Sequence, residues 1–375
     1  MFRLKKGSFS NVDIKEKKGK KPKKTFDKPN LIVSIGPHLR SNDSIAKIMW
    51  ITFSTLLPAA GWSVYIFGQR AMLHILVAIF SCMIVELLMK FFRGTSIKIW
   101  DGSAAVTGIL IAFNMPYNTP YFVTVIASIV AIAIVKEFFG GLGTNFLNPA
   151  LVGRAFVMFA AITHMSNIKG YMLPDTTSAA TSVDVLSSAT PMSLLQYFNK
   201  GTITGDKLPD LFDLFIGKTG GSLGEISALL LILGGLFLLY KGYIRWQVPV
   251  FFIGTVFAIS FIYSLAGGVP LIKPEYTRLV SSFNYSLYHI LGGGLMLGAF
   301  FMATDMVTTP VTGMGNALVG LGCGVITSMI RIFGQYPEGV MFSILLMNIA
   351  TPLISKLFKP RIYGMSKRKA KGSEA

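Results

Sequence analysis

The sequence predicts an all-α integral membrane protein of about ten transmembrane helices, arranged as two inverted five-helix repeats, and three observations carry that prediction. Charged residues make up 14% of the 375-residue chain and hydrophobic residues 52%, whereas a soluble domain carries about 25% charged residues. The apolar residues gather into stretches close to the roughly 20 residues needed to cross a hydrocarbon core about 30 Å thick. Half of these stretches precede a polar segment rich in Ser, Thr, Asp and Gly, and half follow it.

In chain order, a lysine-rich arm occupies 1–44, and its first part, 1–30, reads as a solvated tail that sets topology and is attracted to anionic lipid. It lacks the short charged region and apolar core of a signal peptide. The first repeat, 45–163, holds spans near 45–67, 71–92, 102–115, 121–139 and 148–163. The polar segment 164–224 follows. The second repeat, 225–357, holds spans near 225–240, 246–266, 287–303, 313–333 and 338–357, and a basic tail, 358–375, ends the chain. The spans 102–115, 148–163 and 225–240 are short for a full crossing, so they read as half-helices or as spans completed by less apolar flanks.

The two halves correspond at several points, the third spans loosely. The fourth span of the first half ends in Lys136-Glu137-Phe138-Phe139-Gly140, and that of the second in Arg331-Ile332-Phe333-Gly334. Each fifth span carries Asn and Pro: Asn148-Pro149 in one, Asn348 with Pro352 in the other. Each third span is Gly-rich, has an Asp at one end, Asp101 or Asp305, and runs into Pro116 or Pro310. An odd number of crossings per half inverts the second relative to the first. Broken helices are then expected at 101–116, 144–156 and 292–310, because irregular backbone is tolerated in a membrane only where it lines a cavity or is buried in protein.

The formal charge of +18 would suggest nucleic acid in a soluble protein. Here the Lys and Arg residues cluster before the first span and after the last, so the charge reports topology and no nucleic-acid partner is expected. Both termini are expected in the cytoplasm, as are the loops with Lys90, Arg93 and Lys98 and with Lys241 and Arg245. The segment 164–224 is expected on the outer side. The loop with Lys273 and Arg278 falls outside and is the exception.

Charge inside a membrane is costly and points to function, although groups at span ends can simply reach the interface. Asp101, Glu137 and Asp305 sit at span ends, while Glu86 and His74 lie within the second span. Arg154 follows Asn148-Pro149 inside an apolar segment and stays protonated, so it needs an anionic or carbonyl partner, such as a cofactor oxygen or a backbone carbonyl. Cys82 and Cys323 stand alone in separate spans and read as small buried hydrophobes.

The middle segment contains Thr181-Ser182-Val183-Asp184-Val185-Leu186-Ser187-Ser188-Ala189-Thr190-Pro191. From the residues alone, Thr190 before Pro191 fits the cap and first helical position of a short helix. An extended, hydroxyl-bearing residue there also suits modification.

Resemblance to a known family gives this segment a sharper reading. Asp184, Ser187, Ser188, Ala189 and Thr190 resemble the flavinylation signature D-x-x-[ST]-G-A-[ST], with Ser188 where the pattern usually has Gly. Further matches are Leu31-Ile32-Val33-Ser34, Pro37-His38-Leu39-Arg40-Ser41, Asp101-Gly102-Ser103-Ala104, Gly140-Gly141-Leu142-Gly143-Thr144-Asn145-Phe146-Leu147-Asn148-Pro149-Ala150, Gly153-Arg154-Ala155-Phe156 and Phe301-Met302-Ala303-Thr304-Asp305. Together they resemble the membrane flavin protein shared by two complexes, as the D component of the Rnf ferredoxin:NAD oxidoreductase and the B component of the sodium-translocating NADH:quinone reductase. The short arm and the Pro-His-Leu-Arg entry are more similar to the Rnf member.

The resemblance implies FMN joined by a phosphoester to Thr190, a noncovalent riboflavin between helices, and a fold similar to urea transporters. It implies multi-pass residence in the cell (inner) membrane and partnership with other membrane and peripheral subunits, one of them carrying a second covalent FMN on the outer face. It also implies electron transfer coupled to Na+ or H+ movement. The riboflavin is expected near 101–107, 145–154 and 292–305, which brings in Asp101, Asn145, Asn148, Arg154 and Asp305 as contacts. The competing readings are a secondary transporter or channel without redox chemistry, and a haem protein using His74, His164 and His289, which offer no pair at ligand spacing on one helix. Hydrolase and phosphoryl-transfer motifs (GxSxG, HExxH, Walker A) do not occur.

Overall fold

The computed structural model describes residues 43–94, 100–166, 190–218, 220–225, 227–334, 336 and 338–360. Among them the chain is all helical apart from one isolated bridge, Pro116 with Ser222. The first half comprises α1 (Ile45–Phe67), α2 (Gln69–Phe92), α3 (Ser103–Phe113), α4 (Tyr121–Ile129, continuing as a π-helix over Val130–Glu137) and α5 (Pro149–Ala160). Short helices α6 (Ile162–Ser166), α7 (Pro191–Asn199) and α8 (Leu211–Ile216) follow. The second half comprises α9 (Ala228–Tyr240), α10 (Gln247–Leu265), α11 (Arg278–Leu291), α12 (Leu295–Leu297, continuing as a π-helix over Gly298–Met302), α13 (Gly313–Phe333) and α14 (Val340–Leu357).

Five of these helices, α1, α2, α10, α13 and α14, are long and apolar enough to cross a membrane, and the bent pair of α11 with α12 makes a sixth. In four of the five only 33% of the apolar window is buried within the protein, so the remaining apolar faces need a hydrocarbon surrounding. The chain is a multi-pass membrane protein. The three stretches that read as short in sequence are short here too, with 11 residues in α3, 12 in α5 and 13 in α9.

Helix starts follow local cap chemistry. Ser44 accepts from the Lys47 amide at 3.2 Å to begin α1, and the exposed Asp43 carboxylate just before it bonds the Lys47 ammonium, which holds its pKa below the usual carboxylate range. Asn148 accepts from the Ala150 and Leu151 amides to begin α5, with Pro149 at its first position.

Every residue of α3 is buried, which its length of 11 residues permits because α1, α2 and α5 enclose it. Gly108 makes that fit possible, since a Cβ there would lie 2.7 Å from Ile79 Cα. The end of α3 meets the last residues of the polar segment through backbone bonds, Leu223 N to Met115 O at 3.1 Å and Gly224 N to Phe113 O at 2.8 Å.

One boundary differs from the sequence reading. The span placed at 287–303 begins at Arg278 and breaks by 62° between Leu291 and Leu295. Ser281, Ser282 and Ser286 depress its hydropathy, yet all three are buried, and Ser286 Oγ donates to the Ser282 carbonyl at 3.0 Å. Hydropathy counts such hydroxyls as polar, but a helix can satisfy them internally. Cys82 and Cys323 are free thiols buried in α2 and α13.

Candidate functional site

The breaks before α3 and α12 are each held by a cation from the end of a neighbouring span. Lys136, at the end of the π-helical turn, donates to Glu86 Oε2 at 2.8 Å and Ser103 Oγ at 2.6 Å. Lys90 holds the other Glu86 oxygen at 2.5 Å. Ser103 in turn donates to Asp101 Oδ1 at 2.8 Å, and its amide does so at 3.1 Å. Asp101 thus anchors the start of α3. In the second half Arg331, at the end of α13, donates to the His289 carbonyl at 2.5 Å and the Gly292 carbonyl at 3.4 Å. Gly293 adopts φ +65°, and a Cβ there would lie 2.9 Å from the Arg331 guanidinium, so the cation packs directly on the broken backbone.

Between the halves lies a partly open cleft with about 90 Å³ of free room. Thr107, Lys136, Asn145, Asn148, Thr304 and Asp305 supply its polar lining, and Leu110, Leu238, Phe300 and Phe301 its apolar walls. Sites that enclose a small organic ligand usually span roughly 300–1,000 Å³, so a ring system enters this cleft only if its apolar walls move apart. Lys136 has three donors, of which the two bonds above use two. The chemistry of the lining, polar at the rim and aromatic along the wall, suits a planar ring with polar edges.

The structure therefore brings together Asn145, Asn148 and Asp305 from the expected set. Asn145 lies within hydrogen-bonding reach of Asp305, and the Asn148 side-chain amide donates to the Met302 carbonyl at 3.1 Å, tying α5 to the α12 segment. Asp101 stands one residue behind the wall and acts through Ser103.

Arg154 does not line this cleft. The anionic and carbonyl partners that the sequence reading called for are side chains of the protein: its guanidinium pairs with the Glu338 carboxylate and donates to Asn114 Oδ1 at 2.8 Å. Through Glu338 it ties α5 to the segment just before α14. Glu338 and Glu225 went unremarked in the sequence because both stand at span starts, where acids normally reach the interface. Here the two acids face each other and Arg154 instead.

Thr190 caps α7: its hydroxyl accepts from the Ser193 amide at 3.2 Å and bonds Ser193 Oγ at 2.9 Å. It is 5% exposed. Two residues on, Met192 packs against the break of the second half, its Sδ 3.0 Å from a Cβ built on Gly292. Gln196 on the same helix donates to the Gly334 carbonyl at 2.9 Å. Asp184, Ser187, Ser188 and Ala189 lie outside the described residues.

Known proteins share this chain almost end to end. It is 42% identical to the D component of the Na(+)-translocating ferredoxin:NAD(+) oxidoreductase complex of Acetobacterium woodii, over 91% of its own length and 97% of the relative's. It is 40% identical to the D component of the proton-translocating ferredoxin:NAD(+) oxidoreductase complex of Clostridium ljungdahlii, over 88% and 96%. The D component of an ion-translocating oxidoreductase complex of Stutzerimonas stutzeri is 34% identical over 87% and 94%. With its profile matched across residues 32–364, the chain belongs to the NQR2, RnfD, RnfE family.

Proposed function

We propose that this chain is an electron-transfer subunit of a membrane-bound, ion-translocating ferredoxin:NAD+ oxidoreductase complex, with FMN esterified to Thr190 and riboflavin held in the cleft between the halves. The observation that carries the proposal is the likeness to components of such complexes along 91% and 88% of the chain. Bound flavin would supply one-electron redox chemistry. The protein's own residues position and enclose it. Thr107, Lys136, Asn145, Asn148 and Asp305 offer hydrogen bonds around the rim of the cleft, while Phe300 and Phe301 exclude water. Thr190 offers the hydroxyl oxygen for the phosphoester, and an ester oxygen can still accept the Ser193 amide bond.

The same reading takes the ten spans as two inverted repeats. Its support is the matched pair of cations, Lys136 and Arg331, each closing the break before the Gly-rich third span of its own half. Partners are the other membrane and peripheral subunits, including one with a covalent FMN on the outer face, and the coupled ion is Na+ or H+. The chain sits in the cell membrane with both termini in the cytoplasm and 164–224 outside.

The function is tested with membranes that contain or lack this chain: reduced ferredoxin should drive NAD+ reduction and ion uptake into inverted vesicles only when the chain is present. Denaturing the purified complex separates the flavins. Yellow colour that migrates with this polypeptide and a second flavin released to the supernatant are expected, whereas a colourless chain favours a transporter without redox chemistry. For topology, Lys20→Cys and Thr202→Cys should react with an impermeant maleimide from opposite faces of intact vesicles. Reaction from one face would eliminate the ten-span arrangement.

A further inference from the structure

Beside α7 runs a row of buried polar atoms that neither the cleft nor the cap uses. On α11 the Tyr285 hydroxyl, Ser282 Oγ and both ring nitrogens of His289 make no hydrogen bond, and all three residues are at most 1% exposed. Asn199 Oδ1, at the end of α7, lies within hydrogen-bonding reach of the Tyr285 hydroxyl and extends the row. Buried polar atoms are almost always paired with protein or ordered water, so a contiguous row of them marks a seam that water can occupy. The Tyr285 and His289 rings touch edge to face, 4.7 Å between centroids.

The seam leads inward to charge. His289 gives its carbonyl to Arg331, and beyond Arg331 lie Glu225 and Glu338, within hydrogen-bonding reach of one another. The groups facing this pair are Arg154 from α5, Arg331 from α13, and Tyr285 and His289 from α11 behind Arg331, with Asn114 at the end of α3 holding Arg154. Ser222, 3% exposed and unpaired, faces Glu225. An ionised carboxylate only accepts hydrogen bonds, so two carboxyl groups within hydrogen-bonding reach join directly only through a proton or a metal ion. A metal ion would meet two guanidinium groups, and no cluster of three or more His, Cys, Asp or Glu suited to a metal occurs among the described residues. One proton resolves the contact.

We infer that the Glu225–Glu338 pair holds an exchangeable proton that arrives along the Asn199–Tyr285–His289 seam and compensates charge when an electron resides near α7. The placement carries the link: Met192, two residues from Thr190, packs on Gly292 and Gly293, and Arg331 binds that same backbone. An electron delivered by a one-electron carrier of a neighbouring subunit adds one negative charge. The remaining carboxylate then takes up one proton from the bulk solution, relayed along the seam, and releases it to the bulk by the same route when the electron passes to the next one-electron carrier. This coupling rests on the flavin reading for Thr190, whereas the shared proton itself does not.

Infrared difference spectroscopy on the purified complex tests the shared proton without reference to flavin. A protonated-carboxyl C=O band that shifts in D2O is expected, and it should be absent from Glu225→Gln and from Glu338→Gln. Tyr285→Phe should keep the band but slow its exchange about tenfold or more. A band untouched by both glutamine variants, or exchange in Tyr285→Phe as fast as in the unaltered protein, overturns the proposal. Potentiometry then tests the coupling: the midpoint of the covalent flavin should fall with rising pH, and that slope should flatten in Glu225→Gln. Equal slopes overturn the coupling. A chain carrying no covalent flavin would instead refute the Thr190 reading and leave the infrared result to judge the carboxyl pair.

Discussion

Replacing Thr190 by Ala is expected to remove all covalent flavin from the chain and to stop electron flow through it, while leaving the membrane helices folded. In the proposed reading this hydroxyl is the acceptor oxygen, because it stands at the final position of the motif. Its structural duty is small. Thr190 caps the 9-residue helix α7, and loss of such a cap costs about 1 kcal/mol, far less than the packing of α7 through Met192, Leu195 and Phe198, all buried. Thr190→Ser keeps both the oxygen and the cap, so it should retain part of the label. Ser193→Ala keeps the acceptor but removes the hydroxyl that bonds it at 2.9 Å, and reduced but measurable labelling is expected. Peptide mass spectrometry of chains expressed with the flavin transferase reads all three. A full equivalent of FMN on Thr190→Ala would refute the assignment.

The spans were legible because each long helix presents an apolar face to lipid, and hydropathy measures that property directly. It misplaced the start of α11, where Ser281, Ser282 and Ser286 hide their hydroxyls inside the protein. The short helices α3, α5 and α9 were visible as short apolar stretches, but their consequence was not: a short helix can begin in the interior, so an acid at its start can face other protein groups instead of the interface. Glu225, just before α9, escaped notice for that reason, whereas Glu338 stands before the full-length helix α14 and read as an interfacial acid at a span start. Asn145, Asn148 and Asp305 were found through motif resemblance, and their proximity across the halves gives a physical reason for grouping residues so far apart in sequence. Lys136 and Arg331 were read only as markers of the repeat, because sequence order does not reveal that each cation folds back onto the break in its own half.

The second large effect is expected at Arg154. Its guanidinium joins three parts of the fold: α5 by its own backbone, the end of α3 through Asn114 Oδ1, and the segment before α14 through Glu338. Its side chain is 11% exposed and that of Glu338 19%, so removing either leaves the other largely out of water and unpaired. Breaking a buried pair by deleting one partner costs about 3–5 kcal/mol, whereas replacing both by apolar groups of similar size is often neutral. Arg154→Leu should therefore lower the thermal stability of the detergent-solubilised complex and reduce the amount that assembles. Arg154→Leu combined with Glu338→Leu should recover much of that loss, because no charge is then stranded between α5 and α14. The double-variant cycle separates stability from electron transfer. If Arg154 serves only to join the halves, electron transfer should return with assembly in the double variant. Should the charge of the Glu225–Glu338 pair govern the adjacent redox step, the reassembled double variant will remain slow. A single Arg154→Leu variant that melts and assembles like the unaltered protein would remove the basis for both expectations.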